Sequence, residues 1–155
     1  MQATVRTTAQ GEGTRGRRRP LRALGPALIV EDDGLVALDI AEALTEAGAR
    51  SVTTCASVAE AMAELEKAVP ALMVLDVHLA DRDDGWALAE LATQLGESPP
   101  LILFTTATPA AIPATAAGLG KVLPKPFCTD VLIAMIEKER SSGLFGRLRQ
   151  ALSGQ

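Results

Sequence analysis

The 155-residue chain contains no tyrosine, one histidine and two cysteines, and only 3% of its residues are aromatic. The cysteines, Cys55 and Cys128, lie far apart and lack the spacing of metal ligands, which favours a reducing compartment. No apolar run approaches the roughly 20 residues that a membrane-spanning helix requires. Together these absences predict a cytoplasmic protein that does not enter a membrane.

The composition fits one folded domain. Hydrophobic residues make up 48% of the chain, which is enough for a full core, and 155 residues leave little room for a second folded unit. Fifteen basic residues against nineteen acidic ones give a net charge of −4, which does not favour DNA as a partner.

Residues 1–26 contain six arginines and a single acidic residue, Glu12, with glycine and threonine between them. This composition is typical of a disordered segment. A basic tail could contact an acidic partner or nucleic acid, but without aromatic residues a solvated tail is the simpler interpretation. We therefore divide the chain into a tail at 1–26, a folded domain at 27–140 and a C-terminal tail at 141–155, which is either irregular or a short helix.

Short aliphatic runs alternate with amphipathic segments from Ala27 onward, a pattern typical of a parallel sheet covered by helices on both faces. The run from Ala71 to Val77 is the most apolar of them and carries a single carboxylate, Asp76. Such a pattern predicts a doubly wound α/β fold. The five strands are predicted at Ala27–Val30, Ser51–Cys55, Ala71–Val77, Leu101–Phe104 and Lys121–Leu123.

Helix signals lie between these runs. Ser57 and Glu60 have the spacing of a capping box, which begins the second helix. The region between Thr106 and Lys121 contains two prolines and two glycines, so the fourth helix must be short or irregular. The first helix is predicted to begin near Leu35 and to end at Gly48, and the third to run from about Trp86 to Leu95. The last helix is predicted to be capped at Thr129–Asp130 and to end at Gly143, before a possible terminal helical turn at Leu144–Leu152.

The polar residues can be placed on this sheet, because ligands of open α/β sheets bind beyond the carboxyl ends of the strands. Strand one ends in Glu31 and Asp32, strand three in Asp76, and strand five runs into Lys125. Strand four ends in Thr105–Thr106, and strand alternation lets only one of these two face the site. Strand two contributes no such group, as expected for an edge strand in the order 2-1-3-4-5 of a flavodoxin-like (βα)5 fold.

Three carboxylates packed together repel one another, which implies either a raised pKa or a bound cation. Oxygen ligands of this kind suit magnesium, which binds one or two carboxylates and keeps several waters. Magnesium in turn favours phosphate chemistry, with Lys125 neutralising one phosphoryl oxygen and the Thr106 hydroxyl hydrogen-bonding another. Asp76 is then placed as the in-line nucleophile.

At these residues the sequence resembles the response regulator receiver family, over about Ala27 to Lys138. Val30–Asp33 resembles its acidic metal-binding turn, Leu75–His78 its phospho-acceptor segment, and Lys125–Phe127 its lysine–proline motif. Each short motif is a weak signal, but in this order at the strand ends they are strong together. Phe104–Ala107 further resembles a subgroup whose fourth strand ends Phe-Ala-Thr-Gly, which includes many receivers without an output domain.

The resemblance implies a metal site and a phosphorylation site that share one residue. Glu31, Asp32 and Asp76 hold Mg²⁺ together with the backbone carbonyl of His78, and Asp76 accepts the phosphoryl group. Asp33 is expected to be a solvated loop residue.

The resemblance also implies roles for strands four and five. Thr106 rather than Thr105 supplies the hydroxyl, and the bond between Lys125 and Pro126 is often cis in the family. Receivers usually carry Tyr or Phe three positions before the lysine, as a rotamer switch coupled to that hydroxyl, whereas this chain has Val122. The aromatic readout therefore cannot operate unchanged, and we expect a loop rearrangement over residues 109–120 instead.

The function implied by the resemblance is that of a stand-alone receiver. A sensor histidine kinase or a histidine phosphotransfer protein would phosphorylate it, and it would signal by contact with a downstream protein. It would not be an enzyme, since it would catalyse only its own phosphorylation and dephosphorylation.

Two other functions stay open. A pseudo-receiver would act as a binding scaffold without phosphorylation. A magnesium-dependent phosphatase of the haloacid dehalogenase type would also use an aspartyl nucleophile, but it requires a second aspartate two residues after the first, where this chain has His78.

Overall fold

The computed structural model describes residues 24–79 and 85–154, apart from the side chains of residues 144–150. Most of the predicted basic tail and the acidic loop at 80–84 lie outside the described residues. The described part of the chain forms one five-stranded sheet with helices on both faces.

The sheet is parallel throughout and follows the order β2-β1-β3-β4-β5, so the predicted flavodoxin-like topology is confirmed. The central strand β3 is buried over its whole length because helices cover both faces, which explains its continuous apolar sequence. The strands are β1 (Pro26–Val30), β2 (Ser51–Cys55), β3 (Leu72–Asp76), β4 (Leu101–Thr106) and β5 (Lys121–Pro124).

Helical segments connect the strands and cover the sheet. Their boundaries agree closely with the predicted ones up to α4, and differ at both ends of α5. The helices are α1 (Gly34–Glu46), α2 (Val58–Lys67), α3 (Gly85–Leu95), α4 (Ala114–Ala117) and α5 (Thr129–Ser153), and a 3₁₀ turn at Pro109–Ala111 precedes α4.

Two hydrophobic clusters lie on opposite faces of the sheet. One cluster joins the sheet to α2 and α3 and includes Phe104, whereas the other joins it to α1 and α5 and includes Leu103. Neighbouring residues of β4 thus point to opposite faces, as the two-residue repeat of a strand requires. Because both faces are buried, a slip of one residue would exchange the two sets of side chains, so packing specifies the register.

The capping box predicted at the start of α2 is confirmed. Ser57 Oγ accepts a hydrogen bond from the Glu60 amide at 3.1 Å, and Glu60 Oε2 accepts one from the Ala56 amide at 2.8 Å. The first bond satisfies an amide in the first turn of the helix, and the second satisfies the amide of the residue before the N-cap.

The starts of α1 and α5 differ from the expectations. Asp33 is solvent-exposed as expected, but it is also the N-cap of α1, and its Oδ1 accepts hydrogen bonds from the amides of Leu35 and Val36 at 3.0 and 3.3 Å. The cap predicted at Thr129–Asp130 is wrong by one residue. Cys128 is extended (φ −93°, ψ 149°) and stands at the N-cap position without a side-chain cap, so Thr129 is already helical.

The predicted irregularity of the fourth helix is confirmed. α4 has only four residues and follows a separate three-residue 3₁₀ turn. Pro113 and Gly118 stand at its two caps, and neither favours a helix interior.

The end of the last helix was predicted wrongly. α5 runs for 25 residues and continues through Gly143, where we expected a break, to Ser153. One glycine costs a helix only about 1 kcal/mol relative to alanine, which the surrounding turns can absorb. The hydroxyls of Ser141 and Ser142 donate to the carbonyls of Glu137 and Lys138 at 2.9 Å, within the same helix.

Residues before Ala27 are already part of the described fold. Leu24 is buried with α1 in the second cluster, and its carbonyl accepts a hydrogen bond from the Arg50 amide at 3.2 Å. None of the helices in the described ranges is both long enough and apolar enough to cross a membrane.

Two glycines that flank the end of α4 give a matched test of the packing. A Cβ on Gly120 would clash with the Ile102 carbonyl oxygen, whereas a Cβ on Gly118 would meet nothing within 4 Å. Gly120→Ala should therefore lower the free energy of unfolding by about 1–3 kcal/mol. Gly118→Ala should leave it unchanged or raise it by up to ~1 kcal/mol, because its backbone is right-handed helical (φ −79°, ψ −12°).

Urea unfolding of the two variants and the unsubstituted protein measures both effects. Equal free energies for the two variants would contradict the close approach of Gly120 to β4.

Candidate functional site

The carboxyl edge of the sheet brings together residues from four of its five strands. Glu31 and Lys125 lie one residue beyond β1 and β5, and Asp76 is the last residue of β3. Backbone hydrogen bonds continue the ladders past the strand ends: the Glu31 amide donates to the Cys55 carbonyl at 2.9 Å, and the Lys125 amide donates to the Thr106 carbonyl at 2.7 Å. The site residues are therefore held by the sheet itself.

The ammonium group of Lys125 lies between two buried carboxylates. Its Nζ is 3.2 and 3.1 Å from Oε1 and Oε2 of Glu31, and 3.0 Å from Oδ2 of Asp76. Glu31 and Asp76 are only 3% and 5% exposed, so water can screen them little. The lysine supplies the positive charge that these buried anions need. Its bond to Pro126 is cis, as the resemblance implied.

Burial and these contacts together shift two pKa values. Burial, followed by the hydrogen bond and the negative charge of Asp76, raises the pKa of Glu31 from its ordinary 4.5 to about 7, although Lys125 opposes this shift. Burial by itself would lower the pKa of Lys125, but its hydrogen bonds to Asp76 and Glu31 raise it above the ordinary value. The lysine therefore remains charged across the physiological range.

Three carboxylates of this edge form a candidate cation site. Glu31, Asp32 and Asp76 each offer an oxygen, and these oxygens lie within 4.8 Å of one another. Asp32 is exposed and the other two are buried, so the group opens to solvent on one side. An all-oxygen set of this kind suits a hard divalent cation such as Mg²⁺. Asp33, the next acid along the chain, instead caps α1.

Asp76 is also fixed from the loop that follows it. Its Oδ1 accepts a hydrogen bond from the His78 amide at 2.9 Å. Gly85 packs closely behind this loop, since a Cβ there would lie 3.0 Å from both the Asp76 carbonyl oxygen and the Val77 Cα. The sequence analysis did not single out Gly85, and the close approach that requires a residue without a Cβ is visible only in the fold.

The two threonines of β4 are both buried but differ in their partners. Thr106 Oγ1 accepts a hydrogen bond from the Thr108 amide at 3.0 Å. Thr105 stands opposite Asp76 in the ladder, and its buried Oγ1 has no hydrogen-bond partner in the described part of the chain. The structure therefore places Thr106 at the site's edge but directs its hydroxyl toward the following loop. Its role toward the acceptor stays a prediction.

One contact was missed by the sequence analysis. His78 Nε2 and Thr108 Oγ1 are 2.9 Å apart and link the loop after β3 to the loop after β4. A threonine can accept or donate a hydrogen bond within its own tight turn, which the sequence indicates. The pairing of Thr108 with a residue of another loop is visible only in the fold.

Val122 occupies the position at which receivers usually carry Tyr or Phe. It lies opposite Phe104 in the β4–β5 ladder and packs, partly buried, against the first hydrophobic cluster. Its side chain is aliphatic and compact, so this position offers no ring that could change its place between core and solvent.

A cleft of about 580 Å³ adjoins the site on the α1 side. It lies between α1 and the loop after β5, and both apolar and charged side chains line it. Leu35, at its rim, is 80% exposed. The lining residues are Leu35, Val36, Asp39, Ile40, Ala107, Lys125, Pro126 and Phe127.

The arrangement is suited to transfer of an anionic group. A carboxylate that is buried, oriented by an amide and paired with a lysine can act as a nucleophile, and the adjacent acids can hold a cation that neutralises the transferred group. Glu31, Asp32, Asp76 and Lys125, all predicted from the sequence, are brought together here.

Comparison with known proteins shows what the whole domain resembles. A family model of the response regulator receiver domain matches residues 27–137. The chain is 34% identical over 112 residues to the sensory transduction protein LytT of Enterococcus faecalis, covering 72% of this chain and 46% of that protein. It is 35% identical over 114 residues to the transcriptional regulatory protein PdtaR of Mycobacterium tuberculosis, covering 71% of this chain and 54% of that protein. The chain thus spans about half the length of these curated relatives.

Solved structures show the same fold. A receiver domain from Methylobacillus flagellatus, described as CheY-like, superposes with a TM-score of 0.66 at 23% identity and covers 75% of this chain and 98% of its own. NtrX from Brucella abortus superposes with a TM-score of 0.68 at 24% identity, over 82% of this chain and 30% of its own. At these identities the likeness concerns the fold alone.

The raised pKa of Glu31 predicts a pH dependence of stability. Between its ordinary pKa of 4.5 and its folded pKa of about 7, the folded protein binds more protons at this site than the unfolded chain does. The free energy of unfolding contributed by Glu31 therefore falls as pH rises through this window. Glu31→Gln, which cannot ionise, should show a smaller fall between pH 5 and pH 8 in magnesium-free buffer.

Chemical denaturation at both pH values measures the difference, and Glu46→Gln, an exposed position at the end of α1, is the control. Identical pH slopes for Glu31→Gln and the unsubstituted protein would show that Glu31 does not titrate in this window.

Proposed function

This chain belongs to the response regulator receiver family, and on that premise we propose that it accepts a phosphoryl group on Asp76 in a magnesium-dependent reaction. Receivers of this family are phosphorylated by histidine kinases. The proposal is that a sensor histidine kinase or a histidine phosphotransfer protein is the donor, and that phosphorylation changes the contact with a downstream protein.

The contact set of Asp76 carries this proposal. Its two oxygens are engaged by different groups, the His78 amide on Oδ1 and the Lys125 ammonium on Oδ2. Both groups donate hydrogen bonds, so they fix the orientation of the carboxylate, and the ammonium also balances its negative charge. A carboxylate that only capped a loop would not need a lysine from a strand two places away in the sheet.

The chemistry requires one bond to form and one to break. A carboxylate oxygen of Asp76 forms a bond to phosphorus while the phosphorus–nitrogen bond of the donor histidine breaks, and the bonding electrons remain on the imidazole nitrogen. Lys125 then neutralises one phosphoryl oxygen. Water later attacks the acyl phosphate, which releases inorganic phosphate and restores Asp76.

The acidic residues fit the metal that the family implies. Glu31, Asp32 and Asp76 would hold Mg²⁺, with the His78 carbonyl as a further ligand. The bound ion would supply positive charge to the phosphoryl oxygens. Asp32 is the exposed member of the group, so a cation can enter from solvent beside it.

The cleft between α1 and the loop after β5 supports a protein donor. Lys125 lies both in the site and in the lining of this cleft. A donor that covers the exposed Leu35 at the rim would bring its histidine toward Asp76 and bury apolar surface at the same time.

A direct test uses a small phosphodonor. With magnesium and phosphoramidate, the intact mass should increase by one phosphoryl group, and Asp76→Asn should show no increase, because the amide nitrogen is not a nucleophile of comparable strength. Omission of magnesium should reduce the rate by at least about tenfold.

The outcome separates the remaining functions. Addition to Asp76→Asn as well would place the acceptor elsewhere. No addition to the unsubstituted protein, even with candidate kinases, would favour a scaffold that works without phosphorylation.

The neighbouring acids Asp32 and Asp33 give a matched test of the metal site. Asp32→Asn removes a proposed ligand and should weaken Mg²⁺ binding by about tenfold or more. Asp33→Asn should leave the affinity nearly unchanged, since Asp33 caps α1 and asparagine caps a helix equally well. Isothermal titration calorimetry measures both affinities. Equal losses would show that local negative charge, rather than ligation, determines binding.

A further inference from the structure

Thr106 is held by a residue of its own loop. Its Oγ1 accepts the Thr108 amide at 3.0 Å and lies 3.4 Å from the Thr108 hydroxyl, while the structure records no hydrogen bond from it to Asp76 within the described residues. This is a turn closed by a threonine side chain. In this state the hydroxyl is directed to the loop and not to the acceptor.

Thr108 is in turn held from across the site. Its Oγ1 is 2.9 Å from His78 Nε2, and the amide of the same His78 donates to Asp76 Oδ1. Thr108 stands at the N-cap of the 3₁₀ turn but makes no capping hydrogen bond there, because its side chain faces His78. A continuous set of contacts thus runs from Asp76 through His78 and Thr108 to Thr106.

The backbone hydrogen bonds recorded for the segment after Thr108 stay within its own short turns. The Ala111 amide donates to the Thr108 carbonyl at 3.0 Å, and the Ile112 amide donates to the Pro109 carbonyl at 3.4 Å. Most of residues 107–117 are exposed, and α4 has only four residues. Local hydrogen bonds and high exposure mean that this segment opens at low free energy, so a change at Thr108 can spread through it.

We propose that Thr108, anchored by His78, is a positioning residue that controls when the Thr106 hydroxyl can reach the phosphoryl group and that transmits its movement to residues 108–117. The inference rests on the proposed function of Asp76 as acceptor. When Thr106 turns toward a phosphoryl oxygen, it gives up the Thr108 amide, which then begins the 3₁₀ turn without its acceptor. With an aliphatic Val122 on β5, this loop contact takes the place of an aromatic readout.

The test compares Thr108→Val, His78→Ala and the double variant. Valine keeps the branched shape of threonine but cannot hydrogen-bond, and both positions are exposed, so neither change affects the core. Phosphorylation by phosphoramidate with saturating magnesium is followed by intact mass. Each single variant should be phosphorylated roughly three- to tenfold faster, the range expected when one restraining hydrogen bond is removed.

Two further features separate positioning from a general loosening of the loop. The double variant should be no faster than the faster single variant, because both substitutions remove the same contact. Thr108→Ser, which keeps the hydroxyl, should retain the rate of the unsubstituted protein. Additive effects in the double variant, or a serine variant as fast as the valine variant, would overturn the proposal.

Amide hydrogen exchange gives a second readout over residues 108–117. In the unsubstituted protein, exchange there should increase on phosphorylation. In Thr108→Val and His78→Ala it should already be increased without phosphate. If the unsubstituted protein is phosphorylated but the variants show unchanged rates and unchanged exchange, the inference about Thr108 is rejected and the proposed function stands. A protein that takes no phosphoryl group at all would reject the proposed function first.

Discussion

The site depends on one electrostatic constraint, the burial of two carboxylates beside a single lysine. Glu31 and Asp76 are almost completely buried at the ends of adjacent strands, and without Lys125 their charges would repel each other in a region of little water. The lysine reaches them because the β4–β5 ladder continues to its amide. Burial raises the pKa of Glu31 to about 7 even beside Lys125, so a further positive charge at this edge would favour the ionised form of the carboxylate.

The structure around the site has two parts, a buried sheet and a set of exposed turns. Glu31, Asp76 and Lys125 are anchored by a sheet whose two faces are buried in separate clusters. Thr108 and the short α4 lie on exposed turns beside the same site. Chemistry that needs fixed distances is thus supported by the sheet, while a change of shape costs least in the segment after β4. This division suits a protein that must first react at one place and then report the reaction at its surface.

Different kinds of signal were predictable from the sequence to different degrees. Strand two ends in Cys55 and Ala56, whereas every other strand ends in a polar group, so strand two could be placed at the edge of the sheet. The capping box at Ser57 could be predicted because it is a local pattern. The shortness of α4 followed from its prolines and glycines. The predicted break at Gly143 was wrong because a single glycine weakens a helix without ending it. The cap of α5 was misplaced because Cys128, with no capping side chain, carries no signal of its own.

The sequence by itself determined the elements, their order and the residue types that meet at the carboxyl edge of the sheet, because these depend on periodicity and on where apolar runs end. Only the tertiary structure decided which groups contact one another. It placed Lys125 between Glu31 and Asp76, set Asp33 apart as a helix cap, and directed Thr106 to Thr108 and Thr108 to His78. The contacts of Lys125, and that of Thr108 with His78, join residues distant in the chain at separations of about 3 Å. A sequence pattern specifies the strand on which a residue lies but not the direction of its side chain.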